Sequence, residues 1–227
     1  MWKIRKESEK MDYEIIKKRI KITTSRIKQL GGGVQEVTIN EPSSLEQINE
    51  MEKKLGVELP KSFKKVLQEF SGSFNLRWVL PDELERPVEF REIFCGSFSW
   101  DLKSLPFFEK DRKESVEMVF YNKNDEYDKV WHNKLAFCPV GNGDYLAFDM
   151  KEGDDDASIV YLSHDDGDGH GYKLADNFIE LIENWSRIGF VGAEDWQWIP
   201  FTKSSTSGID PKSEEAKMFR RWLNLAI

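Results

Sequence analysis

Between residues 44 and 72 the apolar positions fall at helical intervals. Leu45, Ile48, Met51 and Leu55 recur every three or four residues and define one face of a helix. Ser44 is the expected N-cap, Gln47 closes a capping box with it, and Gly56 is the left-handed stop. Pro60 suits the first position of a second helix, where its missing N–H costs nothing. Phe63, Val66, Leu67 and Phe70 form the apolar face of that helix, and Gly72 ends it. Further on the period drops to two, so "FNLRWVL", "CGSFSWDL", "SVEMVFY", "LAFCPVG", "DYLAFDM" and "SIVYLS" are expected strands. Residues 141–144, "GNGD", make a hairpin loop. The polar piece 122–134 reads as an exposed connection. A third helix is expected from Asn177, with Glu180 as its capping-box partner and an apolar face of Phe178, Leu181, Ile182, Trp185 and Ile188.

The flanks differ in character. Residues 1–30 read as a basic helix with a loose stripe of Ile15, Ile16, Ile20 and Ile27, expected to pack on the body rather than on a membrane surface. Gly31, Gly32 and Gly33 break it, and "VQEVTIN" alternates like a strand. After residue 190 a Ser/Thr/Gly linker at 204–208 leads to a helix expected to start at Asp210-Pro211 and to dock through Phe219, Trp222 and Leu223. The expected organisation is a basic helix and first strand over 1–39, a central domain over 40–189, and a C-terminal extension over 190–227. Helices, then antiparallel strands, then a helix give an α+β fold with helices packed on a mostly antiparallel sheet.

Composition narrows the function classes. A chain of 227 residues can bury about 70% of its unfolded surface, enough for a core without disulfides or metals. The runs of apolar residues are too short to span a bilayer, and Met1 to Lys6 lead into no signal-peptide core. Cys95 and Cys138 have no partner pattern and are expected as free thiols in a reducing cytoplasm. Residues 1–30 carry a net charge of +6, whereas residues 31–227 carry −14. An acidic body excludes nucleic acid as the natural ligand and points to a basic partner.

The acidity concentrates around one short strand. Asp154, Asp155 and Asp156 precede it, and "HDDGDGHG" with Asp165, Asp166 and Asp168 follows it. A calcium loop begun at Asp166 puts His170 at the fifth position and Asn177 at the twelfth, where a bidentate Glu is needed. His164 and His170 lack a third His or a Cys to complete a transition-metal set. Ser163, His164 and Asp165 are chain neighbours, which is not how catalytic triads assemble. A flexible, solvated turn is the expectation. No metal, cofactor or catalytic residue is assigned. The two acidic turns lie roughly 20–25 Å apart along the strand, as one broad negative face or as two patches.

Three stretches together resemble the SUKH superfamily, also called the Smi/Knr family. The first is "LEQINEMEKKLGVELPKSFKKVLQEFSG", where Leu55, Gly56, Leu59, Pro60, Phe63 and Gly72 fit its Leu-Gly, Leu-Pro and helix-ending signature. The second is "LAFCPVGNGDYLAFDM", with Gly141, Gly143 and Asp144 in the hairpin, and the third is "SIVYLSHDDGD" followed by "NFIELIENW". The resemblance implies a SUKH-like α+β fold and a non-enzymatic role. Bacterial members look like cytoplasmic immunity proteins (antitoxins) that bind and neutralise a cognate polymorphic toxin, often a nuclease. Fungal relatives imply the alternative, a regulatory or scaffold protein in cell-wall or signalling control. On the first reading the six Asp residues at 154–156, 165, 166 and 168 would attract the basic active-site surface of the toxin. Trp131 would be an interface anchor, while Trp196 and Trp198 would pack the tail.

Overall fold

The computed structural model of the chain describes residues 11–151 and 156–227. Helix α1 (Tyr13–Gln29) starts at Asp12, whose carboxylate accepts the Glu14 N–H at 3.0 Å. Ile16, Ile20, Thr23 and Ile27 are its buried stripe; Ile15 faces solvent. Arg19 fixes it to the body, its guanidinium donating to Glu183 at 3.0 Å and to Ser186 Oγ at 2.9 Å. The expected strand over 34–40 is split into β1 (Gly33–Val34) and β2 (Thr38–Ile39), both antiparallel to β3 (Ser73–Val79). Three edge residues, 35–37, face only Leu76 and Arg77 there, so an extra residue bulges out of the ladder.

Helix α2 (Leu45–Leu55) has the full capping box, with Gln47 N–H to Ser44 Oγ at 3.2 Å and Ser44 N–H to Gln47 Oε1 at 2.9 Å. Gly56 closes it with φ at 71°. Helix α3 (Lys61–Glu69) buries Phe63, Val66 and Leu67. Pro60 occupies its N-cap, one position ahead of expectation. Strand β4 (Cys95–Asp101) pairs with β3 over seven residues, and every second side chain of both strands is buried. Gly96 sits opposite Trp78, and a Cβ there would lie 2.0 Å from the indole Nε1.

One expected strand is a helix. "SVEMVFY" is the last turn and exit of α4 (Leu105–Met118). Its β-branched residues favour a strand, but Glu109 pairs with Arg112 at 2.8 Å and with Lys113 at 3.4 Å along a helical face. The inner side of α4 covers a second sheet, a meander of β5 (Lys134–Pro139), β6 (Tyr145–Asp149), β7 (Ile159–Leu162) and β8 (Lys173–Ala175). The short helix α5 (Asp128–Trp131) lies just before this sheet in the chain, inside the segment expected to be an exposed connection.

The second sheet is covered on both faces, which is why its strands read as unbroken apolar runs. Leu135, Phe137, Leu146, Phe148, Ile159 and Tyr161 join the main core. Ala136, Tyr145, Ala147, Val160 and Leu162 join a satellite core with Phe120 and Trp131. Helix α6 (Phe178–Ser186) begins at Asn177, whose side chain accepts the Glu180 N–H at 2.9 Å. The Glu180 carboxylate reaches the Asp176 N–H instead of the cap residue's own. Phe63 and Phe178 meet edge to face at 4.7 Å, and Phe74 stacks on Trp100 at 4.5 Å, so both sheets and their helices share one aromatic centre.

Helix α7 (Asp195–Trp198) follows, then α8 (Glu214–Leu223), which starts at a Ser213 cap rather than at Asp210-Pro211. Phe219 of α8 packs against Phe90 and Phe201. The expected linker at 204–208 instead covers the open edge of β8. Lys173 N–H donates to Ser205 O at 2.8 Å, and Ile209 N–H to Leu174 O at 2.9 Å. Both cysteines are free thiols. No helix among the described residues is long and apolar enough to cross a membrane.

Candidate interaction site

The Gly-rich acidic stretch forms the turn from β7 to β8, and it is pinned rather than loose. The Ser163 carbonyl accepts the Tyr127 hydroxyl at 2.7 Å and the Trp131 indole N–H at 3.0 Å. The Ser163 hydroxyl donates to Asp165 at 3.1 Å and accepts the Gly167 N–H at 3.0 Å. Tyr127 Oη accepts the Asp166 N–H at 2.9 Å, and Asp166 adopts a left-handed backbone with φ at 63°. Gly169 lies against α7, where a Cβ would come 2.5 Å from Asp195 Cβ and 2.7 Å from Trp198. His164, Asp165, Asp166 and Asp168 are left exposed on this scaffold.

His170 is a strut of the same turn. Its Nδ1 sits 3.0 Å from the Ser163 N–H, which can only donate, and its Nε2 sits 3.0 Å from the Tyr127 carbonyl, which can only accept. The ring is therefore the neutral Nε2–H tautomer, stacked on Tyr127 at 3.7 Å. Burial, against the Tyr127 carbonyl and the carboxylates of Asp144 and Asp166, holds its pKa below the ordinary 6.5. The unfolded chain takes up a proton below that value and the folded turn resists it. Stability is thus expected to fall with pH from about 6.5 downward, by at most about 1.4 kcal/mol per pH unit. Urea midpoints at pH 7 and pH 5 should separate more for the wild-type chain than for His170→Asn. Equal separations would contradict the strut role.

Asp144, in the 141–144 hairpin, ties that hairpin to the turn. Its carboxylate is 1% exposed. One oxygen accepts from Asn142 Nδ2 at 2.7 Å and from the Tyr161 hydroxyl. The other accepts the His164 N–H at 2.8 Å and the His164 Nδ1–H at 2.6 Å. Burial and the adjacent Asp144 carboxylate push the Tyr161 pKa far up, so the phenol stays protonated. Asp195 braces the other side, accepting N–H bonds from Gly169 and Trp196, both at 2.8 Å. Its pKa is raised by burial, with the Asp144 and Asp168 charges adding, against those two bonds.

Asp144, His164 and Asp165 bring three ligand-type atoms within 4.8 Å of one another. His164 Nδ1 lies 2.6 Å from Asp144, at hydrogen-bond distance, and Asp165 stands 3.9 Å away. The Ser163 hydroxyl donates to Asp165, not to His164. The arrangement orients an exposed imidazole and three carboxylates on a stiff turn.

The remaining sequence candidates separate. Asp154 and Asp155 lie outside the described residues. Asp156 is a structural cap and not a free acid: its Oδ1 accepts from Ser62 N–H at 3.2 Å, Ser62 Oγ at 2.7 Å and Ala157 N–H at 3.1 Å. Helix α3 has no cap of its own at Pro60, so Asp156 supplies one from 94 residues away. Ser62 Oγ in turn accepts the Phe178 N–H at 3.0 Å, joining the starts of α3 and α6. Asp156→Ala is expected to cost about 1–2 kcal/mol in a denaturant titration, and Asp156→Asn, which keeps the acceptor, much less. Trp131 is corrected as well. It is 1% exposed, under a stacked Phe120 at 4.4 Å, and offers no anchor to a partner. Trp198 is buried and donates to Ala193 O, as tail packing requires, whereas Trp196 is half exposed.

The family-type positions have local work to do. Gly56 ends α2, the Leu59 N–H bonds Glu52 at 2.8 Å, and Phe63 sits in the core. Gly72 leaves room for Ser43, whose Oγ would lie 2.3 Å from a Cβ. Sequence reasoning missed Tyr127, Tyr161 and Asp195, which hold the turn. Tyr127 and Asp195 contact it across 39 and 26 residues, and Tyr161 reaches it by way of Asp144, 17 residues away, and no local pattern carries that information.

No curated protein matches the chain. The SMI1/KNR4 family (SUKH-1) model matches residues 42–184, from just before α2 to near the end of α6. The matched region contains the Leu-Gly and Leu-Pro positions, the Asp144 hairpin and the pinned acidic turn. By that match over most of its length, the chain belongs to the SMI1/KNR4 family (SUKH-1).

Proposed function

We propose that this chain is an immunity protein, which binds a cognate toxin and blocks it sterically and electrostatically in the cytoplasm where both are made. Family membership supports a binding role. The observation that carries the reading is the acidic turn. Asp165, Asp166 and Asp168 are exposed, yet their backbone is fixed by Tyr127, His170 and Asp195. Among the described residues no Lys or Arg forms an ion pair with any of the three. An unneutralised and pre-ordered negative patch attracts a basic surface and loses little entropy on contact. The partner it suits is a toxin with a basic active-site groove, as in a nuclease. An interface of standard size would bury about 1,600 Å² in total.

The test is co-expression with the C-terminal domain of the protein encoded by the neighbouring gene, as the candidate toxin. Growth should be rescued and the two chains should co-purify. Continued growth arrest, with this chain folded and abundant, overturns the reading.

A further inference from the structure

The end of α4 exposes an apolar surface. Met118, Val119 and Tyr121, at the end of α4, are 79%, 57% and 71% exposed. Covering the second sheet does not require them, since Leu105 and Arg112 of α4 are buried and Phe108 and Val116 pack on the satellite core. Phe120, between them in the chain, turns inward. It stacks on Trp131 and lies 5.9 Å from the Tyr127 ring. Tyr127 then bonds the Asp166 N–H through its hydroxyl. The exposed apolar residues and the exposed carboxylates therefore stand on one support, joined through Phe120 and Tyr127.

Three bulky apolar side chains and a fixed acidic turn on one support make an interface composition: an apolar centre that gives affinity and a charged rim that steers. We infer that Met118, Val119 and Tyr121 are the apolar centre of the toxin-binding surface, with Asp165, Asp166 and Asp168 at its rim. The inference rests on the immunity reading and adds the chemistry of the partner, an apolar patch flanked by basic side chains. Charge complementarity names this occupant. A second copy of the chain would bring the same acidic turn against its own kind.

Binding of the purified full chain to that same toxin domain tests this. The double variant Met118→Ala/Tyr121→Ala should raise Kd by about 30-fold or more, mainly through faster dissociation, with the salt dependence unchanged. Val88→Ala, on another exposed segment, should bind as wild type, and melting curves should show all variants folded. An unchanged Kd for the double variant, where charge reversal of the acidic turn weakens binding, overturns this inference and leaves the immunity reading intact. Failure of the wild-type chain to bind overturns both.

Discussion

Replacing Asp144 with alanine is expected to lower the unfolding free energy by about 3–5 kcal/mol. The carboxylate is the shared acceptor for Asn142, the Tyr161 hydroxyl and two N–H groups of His164. Removing it strands a buried phenol and a backbone N–H, and each such group costs about 1–3 kcal/mol. For a chain of this length each 1 kcal/mol shifts Tm by about 2–4 °C, so the melting point should drop by about 6–20 °C. Tyr161→Phe removes one donor and should cost less. A double-mutant cycle between the two positions should then show coupling of about 0.5–3 kcal/mol. A loss below about 1 kcal/mol for Asp144→Ala would mean that this hub is not what holds the turn.

Reversing the charge of Asp165, Asp166 and Asp168 to lysine should act on binding instead. These side chains are exposed, and the turn loses only the Ser163–Asp165 bond while keeping those to Tyr127, Trp131 and His170, so the fold should persist. Asp166 has a positive φ, which suits Asp and Asn better than Lys, and Asp166→Asn separates backbone strain from charge. The association rate with the toxin domain should fall by about 10 to 1,000-fold at low salt. Near 1 M salt, where the screening length is about 3 Å, wild type and variant should converge. Equal rates at low salt would remove the electrostatic half of the account.

Features fixed by near neighbours were legible in the sequence. The Ser44 capping box, the Gly56 stop, the Asn177 cap and the 141–144 hairpin each depend on residues within a few positions. Helix α4 was not, because Val116, Val119 and Phe120 favour a strand, and the Glu109 ion pairs together with packing on the second sheet outweigh that. The continuous apolar runs of β5 to β7 hid which face each side chain takes, since both faces are buried. At the site, the count of acids was plain and their use was not. In the sequence Asp156 reads like the other acids of its run, but Ser62, 94 residues earlier in the chain, makes it a helix cap. The turn looked flexible because three glycines suggest freedom; Gly169 instead serves a close approach to Asp195. Trp131 lay in a polar segment and was still drawn inward by Phe120 and the Ser163 carbonyl.

On the proposed function, this chain acts by occupying a partner and not by altering one. Titrating a fixed amount of the toxin domain with the purified chain, while following toxin activity, tests it most directly. Activity should fall linearly to an end point at a fixed molar ratio, and full activity should return once the toxin is separated under denaturing conditions and refolded. Inactivation by far less than one equivalent, or a toxin left covalently changed, would contradict the claim.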